Sequence, residues 1–426
     1  MSELKRRDGR HEGSRVGAAV WCSIEGKTRY RESLRCLSQA FTLSTVSTGL
    51  VTFIVLLTVP FPVLYQAASE AGWSSAQTGS WFFAVLAMGG IMQLALALGY
   101  RQPIAAGAST VANAFLVRAL PSVSLGEAVA AYLLCGAFFI VLAFTGAFGR
   151  YLNAVPQEIV MGMLAGALLR FETDAFQEVV RAPLLVGPAV AAWLVSSRLR
   201  SRFVPPVGAA LAVAITVALL RGLGSASEVH WGVTLPDLYR PNFTLNAFLS
   251  LTVPLLLLVA SQNATAIGAL WSHGYRPPAN AITLATGLFS MVAAFMGAQG
   301  VHLAAQRSAM AGDHSVHPRP DLRYGAAVVD AMCVLASAAL ATTIVGVFSL
   351  LPIGLIRVVT GLALLPIVVH ASVQALAGAR FRFGGFLALV IAASNISPLG
   401  VSSVFWALVL APPLSLLLDQ KPPPPP

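Results

Sequence analysis

Leu255-Leu256-Leu257-Leu258-Val259-Ala260-Ser261-Gln262-Asn263 carries an apolar run straight into three polar side chains. Gln262 and Asn263 bring amide donors and acceptors to a depth where hydrocarbon offers no partner. An unpaired group there is costly, so these amides face protein, water or a ligand. Polar groups at membrane depth mark a functional site by default. Neighbouring side chains on a helix point about 100° apart, so the two amides do not easily serve one packing seam.

The rest of the chain sets the class. It has 426 residues, 57% hydrophobic and 10% charged, with a mean hydropathy of +0.76. A soluble domain is roughly a quarter charged, and this much charge is too little to coat a soluble surface. Apolar runs recur along nearly the whole length, which reads as an all-α polytopic protein in a lipid bilayer. The net charge of +10 then reports membrane topology, and no nucleic-acid partner is implied. Cys22, Cys36, Cys135 and Cys333 show no zinc spacing and no disulfide framework, so no metal or cofactor is expected.

Fourteen segments are predicted, at 45–67, 77–98, 103–118, 126–148, 154–171, 183–197, 204–221, 247–271, 277–296, 300–312, 323–346, 350–374, 383–396 and 399–418. The third, tenth and thirteenth are too short for a straight spanning helix of about 20 residues. Residues 1–42 read as a basic, disordered cytosolic tail without a cleavable signal, 223–246 as an external loop and 419–426 as a Pro-rich tail. With the N-terminus inside, Arg101, Arg150, Arg198, Arg276, Arg319 and Arg380 fall in cytosolic loops. Arg118, Arg170, Arg240 and Arg357 fall outside, offset by Glu70, Glu127, Asp174 and Glu228. The basic excess is inside, as the positive-inside rule requires, and an even count returns the C-terminus to the cytosol. A twelve-segment count with two re-entrant segments fits the charges nearly as well.

A faint repeat relates two halves, 43–222 and 247–418. Val155-Pro156 followed by Gly166-Ala167-Leu168-Leu169 echoes Leu351-Pro352 followed by Gly361-Leu362-Ala363-Leu364. Gln66 in the first segment corresponds in place to Gln262 in the eighth. The short segment after Pro103 corresponds to the one after Gly300. Seven segments per half make the halves inverted, and paired short segments point to a midplane binding site.

The candidate site residues cluster there. Pro103 and Gly107 interrupt a helix, so an extended stretch should lead into a half-helix near Ser109 and Thr110. Gly297-Ala298-Gln299-Gly300-Val301-His302, leading to Gln306 and Arg307, repeats the pattern. Half-helix N-termini suit an anionic group; a tight helical crossing serves small polar residues equally well. Arg307 lies inside a segment and must snorkel, pair or bind a ligand, with Asp330 its best partner. Asp330 is alternatively a proton carrier, a role that a paired arginine opposes. His302 is placed to hold a proton or to pack as a satisfied histidine, and His370 reads as structural.

Ser261-Gln262-Asn263-Ala264 with His273-Gly274-Tyr275 resembles the BenE family of benzoate:proton symporters. So do Tyr100-Arg101-Gln102-Pro103 with Ser109-Thr110, the stretch Leu164 to Phe171, and Gly361-Leu362-Ala363-Leu364-Leu365. The resemblance spans about residues 45–418. It implies a seven-plus-seven inverted repeat like that of nucleobase and sulfate transporters. Segments 1–4 and 8–11 would form a core and segments 5–7 and 12–14 a gate. Substrate would sit between the third and tenth segments, beside the eighth; Ser261, Gln262 and Asn263 of the eighth and, from the internal repeat, Gln66 are the further candidate contacts. Two departures fall in that pocket. Ala108-Ser109-Thr110-Val111-Ala112 stands where the family tends to read Trp-Ser-Thr-Pro-Gly, and His302 to Arg307 where it tends to read Asn-Leu-Ala-Ala-Ile-Thr. A more polar pocket suits a smaller or more highly charged anion.

The leading expectation is a secondary transporter of the inner (plasma) membrane that couples a small organic anion, a carboxylate such as benzoate, to protons by alternating access. A homodimer is compatible with this. No Walker-type loop and no large cytosolic domain support ATP-driven transport. A nucleobase-like or inorganic-anion substrate is the alternative, with a channel or an intramembrane enzyme behind it; no His-Glu-x-x-His is present.

Overall fold

The computed structural model describes residues 28–146, 156–199, 204–223, 232–378, 381–394, 396, 398 and 401–418. The start of the basic tail with Cys22, the proline-rich end, and the loop charges Arg150, Glu228 and Arg380 lie outside the described residues. The chain is helical almost throughout, with the fourteen expected segments. In the first half these are α1 (Leu43–Thr58) continued by α2 (Pro60–Glu70), α3 (Ser75–Tyr100), β1 (Ala106–Gly107) with α4 (Thr110–Ala119), α5 (Leu125–Thr145), α6 (Gln157–Arg181), α7 (Pro183–Leu199) and α8 (Pro206–Leu220). In the second half they are α9 (Val253–Ser272), α10 (Ala279–Phe295), β2 (His302–Leu303) with α11 (Ala305–Gly312), α12 (Tyr324–Ala338) with α13 (Ala341–Ser349), α14 (Ile353–Ala377), α15 (Arg382–Ala393) and α16 (Ser403–Leu418).

Five helical spans are long and apolar enough to cross a membrane by themselves: Leu43–Glu70, Ser75–Tyr100, Leu125–Thr145, Leu245–Ser272 and Ile353–Ala377. A sixth is the pair Pro320–Ala338 and Ala341–Ser349, bent by 76°. The expected segment 323–346 ran straight through that bend. The inserted loop explains it: Thr234 donates its N–H to the Ala339 carbonyl, and its Oγ1 accepts the Thr342 N–H, supplying partners that an unbroken helix would provide itself. α6 runs past the expected end at 171 to Arg181, on a last turn where Glu178 is tied to Arg357 at 3.2 Å.

Helix starts follow from local chemistry. Thr42, Ser74 and Ser124 each accept the N–H three residues on, and Thr45, Gln77 and Glu127 bond back to the cap. The tail is not wholly disordered. Tyr30–Arg35 and Leu37–Ala40 are short helices, held where the Tyr324 hydroxyl donates to the Ser33 carbonyl at 2.6 Å and Arg29 N–H donates to Gly99 O at 2.7 Å.

Packing separates two groups of segments. α12 lies on α1 and α3, α5 on α10, α2 on α4 and α9 on α11. α6 lies on α14 and α15, α15 on α16 and α7 on α8. β1 pairs with β2 antiparallel, Ala106 opposite Leu303 and Gly107 opposite His302. The two short segments thus meet through this antiparallel pair.

Small residues let helices approach closely without a hydrophobic drive from water. At the α5–α10 crossing, a Cβ on Gly287 would lie 2.7 Å from the Gly136 carbonyl oxygen. Gly287→Val is therefore expected to destabilise the fold by about 1–3 kcal/mol through overpacking. A lowered unfolding midpoint of purified protein in detergent checks this; an unchanged midpoint would contradict the crossing.

Candidate functional site

The site is built on two stretches of chain that no helix can satisfy. Between α3 and α4 the backbone leaves the helix at Arg101, the one described non-glycine residue with positive φ (52°). It runs extended through Gly107, whose φ of +147° is open to glycine alone. Gly89 of α3 leaves room for this strand: a Cβ there would lie 2.8 Å from the Gly107 Cα. Between α10 and α11 the backbone is extended through Leu303.

Side chains from the surrounding helices take up the exposed backbone groups. Ala105 N–H donates to Ser308 Oγ at 3.0 Å, and Ala106 N–H to Gln93 Oε1 at 2.9 Å. Leu303 N–H donates to Asn263 Oδ1 at 2.9 Å, and Asn263 Nδ2 donates to Thr286 Oγ1 at 3.0 Å. Asn113 Nδ2 donates to the Pro60 carbonyl at 3.0 Å, where α1 gives way to α2, and Asn113 Oδ1 accepts from Gln299.

Arg307 belongs to the same framework. Its Nε and Nη2 donate to Asp330 Oδ2 at 3.2 and 2.6 Å, Nη2 also to Gln93 Oε1 at 3.0 Å, and Nη1 to the Ala106 carbonyl at 3.0 Å. Gln93 Nε2 closes the ring on Asp330 Oδ2 at 3.0 Å. The two charged side chains are 4% and 1% exposed. Of the three outcomes open to Arg307, the structure shows the ion pair.

A cleft of about 280 Å³ opens beside the β1–β2 pair. α1, α4, α9 and α11 form one side of it, and Met161 and Leu164 of α6 with Pro366 and His370 of α14 the other. Both half-helices start at its wall. Ser109 caps α4 by accepting the Ala112 N–H, whereas Ala304 gives α11 no side-chain cap. The first N–H groups of a helix have no internal partner, so the cleft receives donors and the positive end of two helix dipoles. His302 is 2% exposed. Its Nδ1 lies 2.7 Å from the Leu303 carbonyl, which only accepts, so Nδ1 carries the proton. Its Nε2 is buried and has no partner, which leaves it a lone-pair acceptor on a residue that lines the cleft.

The family model described as benzoate membrane transport protein, BenE, matches residues 39–415. The chain belongs to the BenE family. It is 32% identical over 348 residues to inner membrane protein YdcO of Escherichia coli (strain K12), covering 82% of this chain and 88% of that one. It is 28% identical over 378 residues to the benzoate membrane transport protein of Acinetobacter baylyi (strain ATCC 33305 / BD413 / ADP1), covering 88% and 95%. Its fold is that of the transmembrane domain of a cyanobacterium bicarbonate transporter, BicA, with a TM-score of 0.59 at 14% identity, covering 86% and 97%. The chain is thus a multi-pass membrane transporter of the BenE family.

Within this BenE-family protein the cleft gathers Ser109, Thr110, Gln262, His302, Gln306 and Arg307. It does not gather four other residues expected there. Asn263 is fully buried and spent on β2, one helical step round from Gln262. Ser261 lies off the lining. Gln66 lines a separate cavity with Glu70 and Arg357, because it sits at the far end of α2 from the cleft. Asp330 stands behind Arg307. His370, read as structural, and Thr265, not singled out in the sequence, do line the cleft. Gln93, Asn113 and Gln299 were passed over. Their signal was a lone amide in apolar surroundings, as in Met92-Gln93-Leu94.

Removing one partner of a buried ion pair strands the other charge at a cost of about 3–5 kcal/mol. Arg307→Ala and Asp330→Ala are each expected to lower the unfolding midpoint sharply, and Arg307→Met with Asp330→Leu to recover most of it. Thermal unfolding of the three variants in detergent checks this; equal losses in singles and double would contradict the pairing.

Proposed function

We propose that this BenE-family protein is a proton-coupled secondary transporter of a small organic carboxylate, with benzoate the first candidate. It sits in the inner (plasma) membrane with both termini cytoplasmic, and it returns its substrate unchanged. Segments 1–4 and 8–11 form a core that carries the cleft. Segments 5–7 and 12–14 form a gate that closes over it, and relative movement of the two exposes the cleft to either side in turn.

One observation carries the reading. His302 lines a cleft at which two half-helices begin, and its Nε2 is buried there without a partner. A proton on Nε2 makes the imidazolium a donor and adds a positive charge where the helix ends already favour an anion. The carboxylate then holds the proton and the proton holds the carboxylate, which is coupling by mutual stabilisation. Arg307 supports the frame and leaves its charge with Asp330. The resemblance of the sequence to benzoate:proton symporters points the same way, as does the relative named for benzoate transport.

The cleft, at about 280 Å³, lies near the low end of small-ligand sites, which run from roughly 300 Å³ upward. With Ala108 in place of an aromatic wall, this favours a compact substrate, and a small inorganic anion is the second reading.

Uptake into proteoliposomes tests both. An imposed proton gradient is expected to drive accumulation of labelled benzoate by the wild type. His302→Gln, which puts a non-titrating polar amide in place of the imidazole, should reduce gradient-driven uptake by about a hundredfold or more, the low end for a positioned proton-transfer group. Accumulation that ignores the gradient, or a fully active variant, would contradict the proposal. Selective uptake of bicarbonate would move the substrate to the second reading.

A further inference from the structure

A second cavity, of about 430 Å³, lies at the other end of the same two helices that wall the cleft. On α4, Thr110 and Val111 line the cleft while Phe115 and Arg118 line this outer cavity. On α6, Met161 and Leu164 line the cleft while Gly166, Ala167 and Arg170 line the outer cavity. From Thr110 to Arg118 a helix rises about 12 Å, so the two spaces follow one another along a single α4–α6 seam. By the charge distribution of the loops, the outer cavity is at the external end.

Its chemistry is one-sided. Arg118 and Arg170 are its charged residues, and no carboxylate lines it. Arg118 is half-buried, and among the described residues no carboxylate comes within ion-pair distance of it. Arg170 reaches Asp174 only at 3.6 Å, with both side chains substantially exposed. Arg118 and Arg170 also line a smaller cavity on their other side, together with Glu70, Asp174 and Arg357, and Arg357 there is already held by Glu70 and Glu178. The outer cavity's hydroxyls donate to backbone: Ser122 to Ala119 and Ser403 to Ala392. Asn246 accepts from Ser250 through Oδ1, which leaves its NH2 group as a donor. Phe115, Ala167 and Val404 give the cavity an apolar side.

Arg118 is half-buried beside the like charge of Arg170, has Asp174 and Glu70 near it only beyond ion-pair contact, and is stabilised further by a bound anion. A recess lined by one sign of charge also concentrates counter-ions at its mouth. We propose that this outer cavity is a loading site for the transported anion. Arg118 and Arg170 take its carboxylate and the Phe115 side takes its apolar body, before it passes along the α4–α6 seam to the cleft at His302. The inference rests on the proposed role of that cleft, but it concerns residues none of which line it.

Benzoate binding by calorimetry and benzoate uptake by proteoliposomes, on the full chain, test it. Arg118→Gln is expected to raise the half-saturating benzoate concentration at least about tenfold, the worth of one charge-assisted hydrogen bond. The maximal rate should change little. Arg118→Lys, which keeps the charge, should recover most of the loss, and the wild type alone should weaken steeply with ionic strength. In His302→Ala, with the cleft disabled, weak benzoate binding should persist and disappear on adding Arg118→Gln. Equal half-saturation in wild type and Arg118→Gln, with equal salt dependence, would overturn the loading site and leave the proposed function standing. Binding that Arg118→Gln removes, in a wild type that does not transport benzoate, would support the outer site and overturn the proposed function. Absence of benzoate binding to every variant would overturn both.

Discussion

At the middle of a bilayer, every backbone N–H and C=O must find a partner inside the protein. Two apolar segments here are broken by short extended stretches, and the rest follows from how the break is repaired. β1 and β2 pair with one another for two residues each. Beyond that pair, Ala304 N–H donates to the Ala105 carbonyl, and side chains take up further groups: Gln93 and Ser308 for β1, Asn263 for β2, and the Arg307 guanidinium for the Ala106 carbonyl. A buried polar network is useful only when fully satisfied, and the rarity of loose ends in this one is what makes the remaining loose ends informative. Asp330 Oδ1 and His302 Nε2 are two of them.

That repair divides labour among neighbouring polar residues. Gln262 and Asn263 are adjacent, yet Asn263 holds β2 while Gln262 lines the cleft. His302 and Arg307 lie on one short segment, yet the arginine's charge is cancelled within the frame. The histidine, a residue of the cleft lining, keeps a buried, unclaimed nitrogen. A frame whose own charges are already paired suits the proposed coupling at His302, because such a framework need not reorganise when a proton comes or goes.

Much of this was legible in the sequence. Long apolar runs set the segments, and Pro103, Gly107 and Ser109 marked the broken one, since proline, φ-positive glycine and a cap are local properties. The Arg307–Asp330 pair was legible because an intramembrane arginine has few alternatives and one carboxylate lay within reach on the next segment. Gln93 was not legible: a single amide in α3 says nothing of which backbone it will meet, and its partners Ala106 and Asp330 lie 13 and 237 residues away. Gln66 misled because correspondence between repeats preserves position in the chain and not depth in the membrane. The helices at 30–40 were missed because their stability comes from Tyr324 and Gly99, far along the chain, and not from their own polar sequence.

The central claim is that an anion binds where the two half-helices begin, against His302. The direct measurement is a structure of the purified protein with 4-bromobenzoate, located by the anomalous signal of bromine. The account predicts the carboxylate at the starts of α4 and α11 within hydrogen-bond distance of His302 Nε2, and the bromine toward α6 and α14. A bromine site elsewhere in the membrane region with the cleft empty, at saturating ligand, would contradict it.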